Sequence, residues 1–224
     1  GSDVRANETF AVPINESGRG QAYLLTGHKW FFSAPMCDAH LVVAKTEQDG
    51  LACFFVPRWL EDGTKNNILI QRLKDKVGNK SNSSSEVEFK DAWGIMIGEA
   101  GRGIPTIIEM ANYTRLTCVV GSSAMQRQAL VQCLSYTRQR KAFGHVLAEQ
   151  PLMQAVLTDL ALETEASVQL SFHLAHCYEN NDELCLAWKR IMTPAAKFWV
   201  CKRTVELTGE MMEVFGGNGY VDNG

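Results

Sequence analysis

Ser135-Tyr136-Thr137-Arg138-Gln139-Arg140-Lys141-Ala142-Phe143-Gly144-His145-Val146-Leu147-Ala148-Glu149-Gln150-Pro151 is the stretch on which the reading of this chain turns. It follows a run from Thr106 to Leu134 with apolar residues at helical spacing, breaks at Phe143-Gly144, and gives way to a second helical run opening at Pro151. Arg138, Arg140 and Lys141 therefore cluster at a helix end. Two readings are open for them: compensation of the negative end of the helix dipole, or a phosphate contact, for which arginine supplies a planar fork of donors.

Downstream of this hinge the helical period persists over 151–180 and 182–215. Three long helices are expected, packed antiparallel as an up-and-down bundle. Pro194 lies inside the third run, where a missing N–H should kink or interrupt it. Phe215-Gly216-Gly217-Asn218-Gly219-Tyr220 then ends the helix with residues that tolerate left-handed backbone and close approach by another group.

Upstream the period is two. Short runs at Gln21–Thr26, Leu41–Lys45, Leu51–Val56, Ile68–Leu73 and Val87–Phe89 are rich in β-branched and aromatic residues, with turn signals at Gln48-Asp49-Gly50 and Glu61-Asp62-Gly63. Such spacing predicts an antiparallel β-barrel or sandwich. The run Ser81-Asn82-Ser83-Ser84-Ser85 reads on composition as a flexible loop. The expectation is an α+β chain, a middle β domain over 1–97 and a helical bundle over 98–224, the latter truncated because three helices stand where four would close it.

The totals narrow the function classes. A chain of 224 residues, 46% hydrophobic, has material for a sizeable core. A net charge of −3 provides no field to draw nucleic acid or an anionic membrane, so no nucleic-acid partner is expected of this stretch. Seven cysteines, an odd number without a C-x-x-C pair, read as buried free thiols of a reducing compartment. The apolar runs are too short to span a bilayer. A soluble intracellular protein is expected, cytoplasmic, with the mitochondrion as the alternative.

Local motifs for chemistry are sparse. His173 and His176 stand at i,i+3 spacing beside Cys177, but no second cluster supplies further ligands, so they read as a helix-surface pair and no metal is expected. Ser122-Ser123 lacks a nucleophile-elbow context, and no Walker pattern occurs. Gly216-Gly217-Asn218-Gly219 follows a helix, so it is not a dinucleotide fingerprint. Trp30-Phe31-Phe32-Ser33 reads either as a strand packing both faces or as a ring lying against a flavin or base, with Ser33 as hydrogen-bond partner.

Together, in this order and spacing, Gly1-Ser2-Asp3-Val4, Gly27-His28-Lys29-Trp30-Phe31-Phe32-Ser33, Leu73-Lys74-Asp75-Lys76-Val77-Gly78-Asn79-Lys80-Ser81, Arg140-Lys141-Ala142-Phe143-Gly144, Pro194-Ala195-Ala196-Lys197 and Phe215-Gly216-Gly217-Asn218-Gly219-Tyr220 resemble the acyl-CoA dehydrogenase family, in its AidB-like branch of adaptive-response flavoproteins. The resemblance implies an N-terminal helical domain, missing here, then a middle β domain and a four-helix bundle. It implies FAD as cofactor, an acyl-CoA thioester as ligand, and a homo-oligomer arranged as a dimer of dimers. The electron acceptor is not legible.

Roles carry over by position. Ser2 looks like the serine that closes the family's T-E-P-x-x-G-S-D motif and touches both FAD and acyl-CoA. Phe31 takes the place of the tryptophan beside the flavin, and Ser33 that of the hydroxyl near flavin N5. Arg140 and Phe143 match the R-x-x-F-G residues that reach the FAD of a partner subunit, and Gly216 and Gly217 match the Gly-Gly that approaches the same cofactor. Asn112, Tyr113, Thr114 and Arg115 fall on the substrate-contacting segment, with Asn112, Thr114 and Arg115 as candidate contacts.

Three departures qualify this. Glu213 and Gln150-Pro151 replace the usual glutamine positions, so no cofactor contact is carried to 150 or 213. Thr114 stands where a family variant places its catalytic glutamate, so no residue here is named as the base. The resemblance thus implies α,β-dehydrogenation of an acyl-CoA, or alternatively an AidB-like stress-response flavoprotein that binds an acyl ligand or DNA with little turnover.

Overall fold

Side chains that alternate in polarity must send their apolar members to one face, and a sheet with one apolar face is best buried by curling on itself. The first half of the chain does so in the computed structural model, which describes residues 3–48 and 50–222. Two units emerge, Gly1–Met110 and Ala111–Gly224.

The first unit contains β1 (Phe10–Pro13), β2 (Ala22–Phe32), β3 (Ala39–Thr46), β4 (Gly50–Pro57), β5 (Ile68–Leu73) and β6 (Ser85–Ile97). Neighbours run β2-β1-β3-β4-β6-β5, and β6 pairs back onto β2, which closes five strands into a barrel and leaves β5 on the side of β6. One contact departs from the antiparallel expectation: β1 meets β3 in parallel, Phe10 opposite Lys45. Tyr23, Leu25, Phe54, Val56, Val87, Phe89 and Met96 fill the interior. Tyr23 meets Phe54 edge-on at 5.0 Å, and its buried hydroxyl accepts from Gly18 N–H at 2.8 Å. Each fully buried large side chain contributes about 1.5–3 kcal/mol.

One strand escaped the period-two reading: β1 is only four residues and ends in proline, while β2 joins the 21–26 run to the strand reading of Trp30-Phe31-Phe32. Its continuation depends on Gly27, at φ +148°, where a Cβ would stand 2.7 Å from Thr9 Cα. The serine run, expected to be loose, is a built turn. Lys76 Nζ donates to Asn82 O at 2.7 Å and Ser84 Oγ at 3.1 Å, and Ser84 and Ser85 are buried.

The second unit is a three-helix bundle. α1 (Gly103–Gln139) starts in the first unit and continues into it, followed by the hairpin β7 (Lys141–Ala142) and β8 (His145–Val146), then α2 (Pro151–Glu179) and α3 (Glu183–Glu213). Contacts fix the directions. Ser171 Oγ on α2 donates to Ser123 Oγ on α1 at 3.0 Å, and Tyr178 further along α2 reaches back to Asn112, so α1 and α2 are antiparallel. Glu163–Arg203 and Tyr178–Thr193 pairings set α2 against α3 the same way. Asp182 caps α3, accepting from Cys185 N–H at 2.9 Å.

Pro194 does not interrupt α3, which is helical from Glu183 to Glu213. The side chain of Thr193 donates to Lys189 O at 2.6 Å, and Thr193, Ala196 and Val200 are buried beside it, so tertiary packing carries the helix across the proline. Cys37 likewise corrects the expectation of buried thiols: it is exposed, although Cys53, Cys133, Cys177 and Cys185 are buried.

Candidate functional site

In the first unit the carried-over residues gather at the end of β2. Phe32 turns inward, packing on His40 at 4.6 Å and on Phe89 at 6.0 Å. Alternation along the strand then sends Phe31 outward, and it is 70% exposed. Trp30 would ordinarily follow Phe32 to the inside. The β2–β6 register shifts between Lys29 and Phe32, however, and Trp30 is 56% exposed as well. Two consecutive aromatic rings thus face outward. Ser33, one residue past the strand, is exposed, and among the described residues its hydroxyl has no hydrogen-bond partner.

Phe31 and Trp30 line a cleft of about 760 Å³, within the usual range for a small-molecule site. Its other walls come from the 3–8 segment, from Gly27 to Lys29, from Leu41 to Val43 on β3, and from Ile104 and Ile107 at the start of α1. Gly103 allows that start: a Cβ there would stand 2.6 Å from the Ala52 carbonyl carbon. Asp3, at the cleft edge, accepts from Arg5 N–H at 3.1 Å. Ser2 lies outside the described residues.

Lys29 is the cleft residue that sequence reasoning missed. Its ammonium donates to Asn7 Oδ1 at 2.8 Å and Val43 O at 2.9 Å. Asn7 Nδ2 donates to the same Val43 carbonyl at 2.9 Å, so the entry segment is stapled to β2 and β3. Burial pushes the Lys29 pKa down to about 8. His40 is held below its usual range by burial and then by the Arg58 charge, so the ring under Phe32 is neutral at neutral pH. Nothing local marks either residue, since a lysine in an alternating strand reads as a solvent-facing position.

In the second unit two groups of carried-over residues stand at opposite ends of α1. Near residue 112, Arg115 Nη1 donates to Asn112 Oδ1 at 2.8 Å. The Asn112 carbonyl accepts from Tyr178 Oη at 3.2 Å, and that hydroxyl also pairs with Thr193 Oγ1 at 3.0 Å. Tyr113 lies edge-on to Tyr178 at 5.2 Å. Thr114, on the exposed side of the helix, brings a neutral hydroxyl and no carboxylate.

At the other end the hairpin after α1 presents Phe143 at φ +53° and 95% exposed, with Arg140 also exposed. Arg140 N–H donates to Tyr136 O at 2.9 Å, and the Tyr136 ring packs on Phe215 at 4.9 Å. Phe215 immediately precedes Gly216 and Gly217. Both glycines are exposed, Gly216 at φ +60°, and a Cβ on either would meet nothing within 4 Å. The R-x-x-F-G hairpin and the Gly-Gly turn therefore share one end of the bundle, and both are open to an incoming group.

His173 lies edge-on to Trp188 at 5.0 Å, and His176 is beside Asn180, whose Nδ2 donates to the His176 carbonyl at 2.8 Å. Among the described residues no helix is long and apolar enough to cross a membrane.

Comparison with known proteins agrees with this architecture. Residues 1–92 match the acyl-CoA dehydrogenase middle domain, and residues 101–224 match the acyl-CoA dehydrogenase C-terminal domain. The chain is 48% identical over 223 residues to AidB of Escherichia coli (strain K12), covering 99% of this chain and 40% of AidB. It is 31% identical to acyl-CoA dehydrogenase family member 11 of Caenorhabditis elegans, covering 100% of this chain and 38% of that protein. The crystal structure of Caenorhabditis elegans ACDH-11 in complex with C11-CoA superposes with a TM-score of 0.88 at 30% identity, over 99% of this chain and 39% of that one. The chain thus spans about two fifths of the length of these relatives. With both domain matches in register with a β-barrel followed by a helical bundle, this chain belongs to the acyl-CoA dehydrogenase family.

Proposed function

We propose that this chain is the β unit and bundle portion of an FAD-binding flavoprotein that takes an acyl-CoA thioester, of the AidB-like kind that holds the acyl ligand with little turnover. The observation that carries it is the cleft with an outward Phe31 and, next to it, Ser33 with a hydroxyl unengaged among the described residues. An isoalloxazine ring wants those two things, a flat apolar contact and a hydrogen-bond partner. When bound, the flavin supplies a hydride acceptor.

The chain's own residues would then divide the work. Phe31 lies against the ring and excludes water, Ser33 meets its polar edge, and Lys29 holds the 3–8 segment in place. Arg140, Phe143, Gly216 and Gly217 reach the FAD of a partner subunit in a dimer of dimers, where the openness of the glycines permits close backbone approach. Asn112, Thr114 and Arg115 line the acyl-CoA path, Arg115 being oriented by its bond to Asn112. Thr114 cannot take a proton near neutral pH, so it is not a base.

Support for the AidB-like reading comes from 48% identity, against 31% for the family member 11 relative. The second reading is outright α,β-dehydrogenation, in which a carboxylate removes the α-proton. Anaerobic mixing of the intact flavoprotein with acyl-CoAs of several chain lengths separates the two. A perturbed flavin spectrum with slow bleaching is expected, brisk bleaching would establish dehydrogenation, and an unperturbed spectrum would sink both. In the same preparation Arg140→Ala should lose FAD more readily than Arg138→Ala, and equal occupancy would count against the role given to Arg140.

A further inference from the structure

Behind the aromatic pair of the β unit lies a charged cluster that the proposed function does not use. Lys74, just past β5, places its ammonium 3.7 Å from the centre of the Trp30 ring and 4.6 Å from that of Phe31. Its side chain is 10% exposed although both rings are largely open, so the rings themselves screen the charge from water. Arg72 stands 5.6 Å from the Trp30 ring.

Both cations converge on Glu86 of β6. Its Oε1 accepts from Lys74 Nζ at 2.8 Å and from Arg72 Nε at 2.9 Å. The Glu86 side chain is buried, and the bonds from Arg72 and then Lys74 hold its carboxyl below the usual range. Two cations share one carboxylate, Lys74 shielded at 10% exposure and Arg72 open at 64%, so the cluster carries a net positive charge. The bulge in β2 is what brings two successive rings within reach of one ammonium.

We propose that Lys74 is a positioning residue for the flavin-facing wall, clamping the Trp30 and Phe31 rings from behind while Glu86 anchors it, and placing a net positive charge behind that wall. This rests on the reading of Phe31 as the flavin neighbour. The charge favours the electron-rich reduced flavin over the oxidised one, and therefore raises the midpoint potential. Glu86 works in the opposite sense by neutralising part of it.

The test uses the full-length, FAD-loaded protein and reads two quantities other than activity: the flavin midpoint potential and the Trp30 emission, the latter isolated by difference against Trp30→Phe. Lys74→Met should shift the potential negative and change the Trp30 emission. Lys74→Arg should return both toward wild type, since the cation over the rings is restored. Glu86→Gln, which keeps the shape and removes the negative charge, should shift the potential positive, and it keeps the idea testable if Lys74→Met fails to fold. A changed emission with an unchanged potential would reduce Lys74 to a packing residue and overturn the proposal, as would shifts of the same sign in Lys74→Met and Glu86→Gln. If wild type carries no flavin, the functional reading falls and the inference with it. A wild type that binds flavin, with a Lys74→Met indistinguishable from it, sinks the inference alone.

Discussion

The β unit and the helical unit bury themselves in different ways. In the barrel one continuous cluster of large residues, from Tyr23 through Phe54 to Met96, is sealed by ladders on every side. The bundle has two separate clusters, one around Leu130, Leu160 and Met211 and one around Val119, Leu174 and Val200. The helices between and beside them bury small polar groups: Ser122, Ser123, Gln126, Thr164, Ser167, Ser171 and Thr204. Some are bonded, as where Ser171 Oγ donates to Ser123 Oγ at 3.0 Å, while Gln126 is bonded on one side only, its Nε2 donating to Thr204 Oγ1 at 2.7 Å. Others, Thr164 Oγ1 and Ser167 Oγ, have no hydrogen-bond partner among the described residues. Large apolar residues such as Phe172, Leu184, Phe198 and Val205 instead face outward. Both units leave large apolar side chains at the surface, and the difference lies in the interior: the barrel fills it with one cluster of large side chains, whereas the bundle divides its core and buries small polar groups between the parts.

The most forceful way to break this comparison is Phe54→Ala. Removing a fully buried ring from the barrel should cost about 3–5 kcal/mol, visible as a lower urea midpoint for amides of the β unit in hydrogen exchange. If the bundle amides lose protection to the same extent, the two units unfold as one block and the contrast fails.

A change of pH sharpens it. Lys29 titrates at about 8 in the fold against 10.5 when free, so the unfolded chain binds more protons in between. Stability from this group therefore rises with pH across that window, by roughly 3 kcal/mol in full and about 1 kcal/mol from pH 8 to 9. Cys53 in the barrel and Cys133 in the bundle work the other way, because burial pushes both thiols from 9.0 up to about 11 and their contribution is lost above pH 9. The β unit should gain stability from pH 8 to 9, and Lys29→Met should abolish the gain. A gain that survives the substitution would assign it to another group.

The smallest effect is expected from Tyr178→Phe. It deletes the hydroxyl that joins the Asn112 carbonyl to Thr193, at a cost of about 1 kcal/mol, measured as a shift in the bundle's thermal midpoint. Acyl-CoA affinity should fall with it if the 112–115 segment needs that anchor, and unchanged affinity would separate the segment's position from Tyr178.

Much of this architecture was legible because its periods are local. The runs at 41–45, 51–56 and 68–73 became β3, β4 and β5, and the helical runs became α1 to α3. What escaped was set by distant partners. β1 exists because it can lie between β2 and β3, and α3 survives Pro194 because Thr193, Ala196 and Val200 are held by neighbouring helices. At the cleft, the outward placement of Phe31 follows from alternation. Lys29 with Asn7, and Lys74 with Glu86, are pairs 22 and 12 residues apart, and no spacing rule joins them. They meet only once the barrel has closed.

Closure also has a residue of unfinished business in β5. That strand pairs with β6 along one side, and among the described residues no strand pairs with its other side, while Leu69, Ile70 and Leu73 are exposed. A flat apolar edge of this kind is a template for adding a foreign strand, the first step of aggregation. Here the register slips between Ile70 and Arg72, twisting the edge, and the exposed Arg72 puts a cation at its end. The guanidinium that shares Glu86 with the clamp on the aromatic wall therefore also guards the colloidal behaviour of the barrel, and variants that remove it should be handled at low concentration.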